Sequence, residues 1–112
     1  MIIEKTLKSM VLSDNHFKNR LGRAFKRYKG YKTMWEREIF FNFPKQDTRP
    51  TQKVRVTITR IYGKRKRPFD RINYASGCKP ILDQLKKQNY IFDDSPKWID
   101  DFYEQERGEV EG

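Results

Sequence analysis

An α+β domain, with helices packed on a small mixed sheet, is the fold class this sequence predicts, and three observations predict it. One stretch alternates apolar and polar residues at strand period, two stretches repeat apolar residues at helical period, and the segments lack the regular alternation of a parallel βαβ chain. The 112 residues leave room for a single domain, 1–112, with a modest core. Hydrophobic residues at 36% and aromatics at 14% suffice for such a core and exclude a wholly disordered chain. A mean hydropathy of -1.00 makes the surface very polar.

In chain order, Ile2, Ile3, Leu7, Met10, Val11 and Leu12 predict an opening strand that runs into the turn-forming cluster Ser13-Asp14-Asn15. A basic loop is expected next. Thr33-Met34-Trp35-Glu36 has the form of a capping box, in which the Thr hydroxyl and Glu carboxylate satisfy the first backbone donors of a helix. Trp35, Ile39 and Phe43 then recur at helical spacing, a stripe that reads as core rather than cofactor contact, and Pro44 ends it. Residues 45–51 form a polar connection. Val54, Val56 and Ile58 fall on one face and Arg55, Thr57 and Thr59 on the other, the strongest strand signal in the chain, which stops at Gly63.

Lys64-Arg65-Lys66-Arg67-Pro68 makes a basic loop that delivers the chain to Asp70. Asn73 is expected to cap a helix over residues 74–89, with Cys78, Ile81, Leu82 and Leu85 on its apolar face. Pro80 implies either a kink or two pieces, with Pro80 near the start of the second. Asp83 and Lys87 are spaced for an i,i+4 pair, and Asn89 suits a left-handed closing residue. Tyr90-Ile91-Phe92 is a short apolar run read as a strand leading to Asp93 and Asp94. Residues 97–106 alternate well enough for a final strand.

Charge is distributed unevenly. Residues 16–67 carry 17 basic groups against Glu36, Glu38 and Asp47, a net of +14, whereas residues 68–112 carry six basic and ten acidic groups, a net of −4. A stretch of +14 concentrates polyanions and suits phosphate contacts that release counterions, so nucleic-acid binding should be salt-sensitive. The candidate DNA contacts are Arg20, Arg23, Lys26, Arg27, Lys29 and Lys32, with Lys64, Arg65, Lys66 and Arg67. Phe17, Phe25, Tyr28 and Tyr31 are interleaved with the first group and either stack on bases or belong to the core. The alternative for the whole run is a solvated face.

Several classes are disfavoured. A single cysteine, Cys78, cannot form an internal disulfide or a multi-cysteine metal site, and it sits on an apolar helical face as core rather than nucleophile. His16 is the only histidine, which leaves little for a zinc site or a Ser-His-Asp triad. No apolar run approaches a membrane span, no signal peptide is recognisable, and the cytoplasm is the expected compartment.

Asp70, Asp83, Asp93 and Asp94 gather in the segment 68–106, Asp70 opening a helix and Asp93 and Asp94 following the next strand. Carboxylates so placed suit Mg²⁺, which takes hard oxygen ligands and can activate water beside a phosphodiester. They also suit turn formation and a helix N-terminus. Asp70-Arg71-Ile72-Asn73, Gly77-Cys78-Lys79-Pro80, Leu82-Asp83-Gln84-Leu85 and Asp93-Asp94-Ser95-Pro96-Lys97-Trp98, in that order and spacing, resemble the core of the RusA-like endodeoxyribonuclease family of bacteria and their phages. The resemblance covers about a quarter of the chain closely.

It implies a RusA-like fold and a homodimeric, Mg²⁺-dependent enzyme that nicks four-way DNA junctions symmetrically, with no small-molecule cofactor. By position it implies Asp70, Asp94 and Lys79 as catalytic residues and Asp70, Asp93 and Asp94 as metal ligands, with Asn73 the motif asparagine and Asp83 a structural or substitute carboxylate. One position departs from the pattern. The family's Asp-x-Asp-Asn has its second aspartate at Ile72 here, and shifting the alignment puts Pro68 in the first position instead. An isoleucine cannot bind Mg²⁺, so the sequence leaves two readings: a junction endonuclease, or a DNA- or RNA-binding protein on the same scaffold that no longer cuts.

Overall fold

The computed structural model describes residues 3–7, 11, 23–63 and 67–108, with backbone alone for 23–26. Tyr31, Trp35 and Ile39 recur every four residues and are all buried. This stripe winds the first helix, α1, Arg23–Asn42. The helix starts well before Thr33, so the capping-box sequence lies in its interior and the described part of the expected basic loop is helical. The reason is tertiary. Tyr31 extends the apolar stripe one turn back, and its hydroxyl donates to the Gly77 carbonyl at 2.6 Å, which outweighs the poor helix propensity of Gly30. Phe43 N–H still donates to the Ile39 carbonyl at 2.8 Å, and Pro44, without an N–H, stops the ladder as expected.

The expected opening strand does not form over residues 3–7. Leu7 and Val11 instead pack on the core, so their apolar character serves burial rather than a ladder. Ile2, Met10 and Leu12 lie outside the described residues.

The β-branched run forms β1, Val54–Tyr62, with Val54, Val56 and Ile58 turned inward. Two short helices follow: α2, Arg71–Gly77, and α3, Lys79–Lys87. The break between them is the one Pro80 implies, since in the first turn of α3 its missing N–H costs nothing. Asp70, not Asn73, is the N-cap residue of α2; Asn73 is inside the helix, buried. Asn89 closes α3 with φ 66°. Tyr90 N–H reaches the Leu85 carbonyl at 3.0 Å and Asn89 N–H the Lys86 carbonyl at 3.1 Å, the paired bonds of a Schellman C-cap. Residues 90–92 form no strand; Ile91 is buried in the core, and the chain bends through Asp93 and Asp94 to β2, Ile99–Arg107.

β1 and β2 pair in parallel, Val54 opposite Ile99 and Tyr62 opposite Arg107. Among the described residues the sheet is therefore a two-stranded parallel ribbon rather than a mixed sheet. The α2–α3 crossover carries the chain back to the end from which β1 set out, which a tight hairpin turn cannot do. The helices cover the sheet face that bears Ile58 and Tyr103: the Tyr74 hydroxyl donates to the Ile58 carbonyl at 2.9 Å, and its ring meets Tyr103 edge-on at 6.2 Å. α1 packs beside α3, with Gln88 Nε2 donating to the Phe43 carbonyl at 3.0 Å and Phe43 edge-on to Tyr90 at 5.2 Å. The class is α+β, with one core of Trp35, Ile39, Tyr74, Cys78, Leu82 and their neighbours.

Candidate functional site

Lys79 is the first residue of α3, where the positive end of the helix dipole opposes an ammonium group. Two carboxylates hold it there. Lys79 Nζ lies 3.0 Å from Asp94 Oδ2 and 3.7 Å from Asp83 Oδ1. The hydrogen bond to Asp94, then the charge of Asp83, raises the Lys79 pKa above its ordinary value. Asp83 thus turns back to Lys79 rather than forward to Lys87, which instead approaches Glu36 on α1 at 3.9 Å. Exposed pairs of this kind contribute about 0.2–1 kcal/mol to stability. Asp93 pairs with Lys86 at 3.0 Å, and that hydrogen bond lowers the Asp93 pKa.

Asp70 sits at the opposite end of α2 from Lys79. Its side chain makes no cap bond to the helix backbone; its Oδ2 accepts from Asn73 Nδ2 at 3.0 Å. Ile72, beside it on α2, is 75% exposed. The approach to Asp70 is fixed by Gln105 of β2, whose Oε1 accepts Phe69 N–H at 2.8 Å while its Nε2 donates to the Phe69 carbonyl at 3.0 Å. The same Oε1 accepts from Arg60 at 3.0 Å. Arg60 is buried, its guanidinium 3.6 Å from the centre of the Phe69 ring, and desolvation lowers its pKa.

The structure brings together Lys79, Asp83 and Asp94, and pairs Asp70 with Asn73 and Asp93 with Lys86. Among the described residues no three Asp, Glu, His or Cys side chains gather as one metal-binding group. Two neighbours of the site were not singled out in the sequence. The Tyr103 hydroxyl donates to Asp101 Oδ2 at 2.7 Å; burial first, then Asp101, and more weakly Cys78 and Asp94, raise the Tyr103 pKa. Asp101 and Tyr103 are two apart on one strand, a spacing that puts them on the same face, but which face required knowing the register. Cys78 is fully buried, and burial pushes its thiol up to about 12, so it is a protonated core residue at neutral pH.

Of the candidate DNA contacts, Arg27, Lys29 and Lys32 lie on α1, and Arg67 is exposed ahead of Asp70. Arg23 and Lys26 are placed on α1 by backbone alone; Arg20, Lys64, Arg65, Lys66 and His16 lie outside the described residues. Tyr31 is core, and Tyr28 packs against it. No helix among the described residues is long and apolar enough to cross a membrane. Comparison of the chain with protein-family models, curated proteins and solved structures finds no match.

Proposed function

We propose that this protein is a Mg²⁺-dependent, RusA-like endonuclease that acts as a homodimer in the cytoplasm and resolves four-way DNA junctions by paired nicks. The observation that carries this reading is the meeting of Lys79 and Asp94 at 3.0 Å. The motif resemblance assigns both to catalysis, they come from different segments, and Lys79 stands at a helix start where the helix dipole by itself disfavours a lysine. The net charge of +14 over residues 16–67 supplies the attraction for DNA.

Asp70, Asp93 and Asp94 are hard oxygen donors of the kind Mg²⁺ takes, and one or two carboxylates with phosphate oxygens suffice for it. When bound, the ion would offset phosphate charge and activate water. Lys79 offers its ammonium to the scissile phosphate, where developing negative charge is greatest. Asp83 keeps a carboxylate beside Lys79 and holds its position. Gln105, through both backbone groups of Phe69, fixes the start of α2 and with it Asp70.

Ile72 favours a second reading, a DNA- or RNA-binding protein without cleavage, because an exposed isoleucine stands where the family's second aspartate belongs. Incubating the wild-type protein with a synthetic four-way junction separates the two. Symmetric nicks that require Mg²⁺ and vanish with EDTA support the nuclease; tight binding with the junction left intact supports the second reading.

A further inference from the structure

A cleft of about 260 Å³ opens between α1 and α3 and is lined by Lys32, Glu36, Arg49, Asp83, Lys86 and Lys87 among others. Its cations come from three places in the chain: α1, the connection after it, and the last turns of α3. Its two acids are each already faced by a lysine, Glu36 by Lys87 and Asp83 by Lys79. Lys86 is paired with Asp93. Lys32 and Arg49 have no carboxylate partner among the described residues.

Arg49 is held in a specific pose. Its Nε donates to Asn89 Oδ1 at 3.0 Å, while Asn89 Nδ2 donates to the Gln46 carbonyl at 2.7 Å. Asn89 is itself locked by the left-handed turn that closes α3. Anchoring Nε in this way uses up the side-on fork of the guanidinium and leaves its two terminal nitrogens, the end-on pair that can also grip a phosphate, without an acceptor among the described residues. Asp83 lines the cleft and also contacts Lys79, so the cleft adjoins the Lys79–Asp94 pair.

We infer that this cleft is a seat for the DNA sugar-phosphate backbone, with Arg49 as its fork and Lys32 beside it, placing a strand next to Lys79. The inference rests on the DNA-binding part of the proposed function and adds residues, Arg49 and its positioning residue Asn89, that the basic runs of the sequence do not include. The seat recognises phosphate and no base edge, so it is indifferent to sequence.

The test is the salt dependence of binding to a labelled duplex and to a four-way junction. Arg49→Ala should flatten the slope of log affinity against log salt by about 0.9, the share of one phosphate contact on duplex DNA. Asn89→Gly keeps the left-handed backbone and the arginine charge but frees the fork; it should weaken binding by about tenfold, the size of one charge-assisted hydrogen bond, with the slope nearly unchanged. Lys5→Ala removes one exposed charge that lies outside both the cleft and residues 16–67, and serves as control. An Arg49→Ala slope equal to wild type, or a flattening no larger than that of Lys5→Ala, overturns the cleft while leaving the nuclease reading intact. If wild type binds the junction without nicking it, the nuclease reading fails and the slopes still decide the cleft. A wild-type protein without salt-dependent affinity for DNA ends both.

Discussion

Ile72 is the second residue of α2, 75% exposed, in a helix whose first turn has no acidic residue. An apolar side chain gains little from burial there, and a carboxylate would meet the favourable end of the helix dipole. Ile72→Asp should therefore fold at least as stably, with a gain of about 0.3–1 kcal/mol in denaturant unfolding, and should raise Mg²⁺-dependent nicking of a junction. An equally stable variant with no gain in cutting would mean that the position no longer limits the reaction. Lys79 and Asp94 were legible from the sequence because both lie in ordered motifs. The placement of Arg49 and Tyr103 was not, since each is set by a partner distant in the chain or by its strand's register, Asn89 for Arg49 and the inner sheet face for Tyr103.

At the scale of elements, local chemistry was readable where it acts alone. The alternation of Val54, Val56 and Ile58, the break at Pro80 and the left-handed Asn89 all correspond to what the chain adopts. It misled where packing competes with a local signal. Thr33-Met34-Trp35-Glu36 has the chemistry of a helix start, yet Tyr31 buries its ring and bonds Gly77, and α1 runs through the signal. Gly30 is consequently inside a helix, exposed, with open space around a Cβ built on it. Gly30→Ala should stabilise the protein by about 0.5–1 kcal/mol, seen as a higher denaturant midpoint with an unchanged slope. A destabilised Gly30→Ala would show that the backbone at residue 30 departs from helix in solution.

For the whole molecule, charge and topology divide the labour. The α+β class and the basic and acidic halves were visible in composition and periodicity, whereas the parallel pairing of β1 with β2 was not, because strand direction is set by the path of the α2–α3 crossover rather than by any residue of either strand. That crossover places Lys79 at a helix start and returns the chain through Asp94, so the Lys79–Asp94 pair is a product of the topology as much as of the motif. In the proposed function, DNA attraction would be spread over many cations and survive the loss of one carboxylate, whereas cutting would depend on Asp94. The most direct test is Asp94→Asn assayed on a four-way junction for binding and for single-turnover nicking in Mg²⁺. Binding at least as tight as wild type with nicking abolished is the expected outcome, and cutting by Asp94→Asn at the wild-type rate would refute a catalytic role for Asp94.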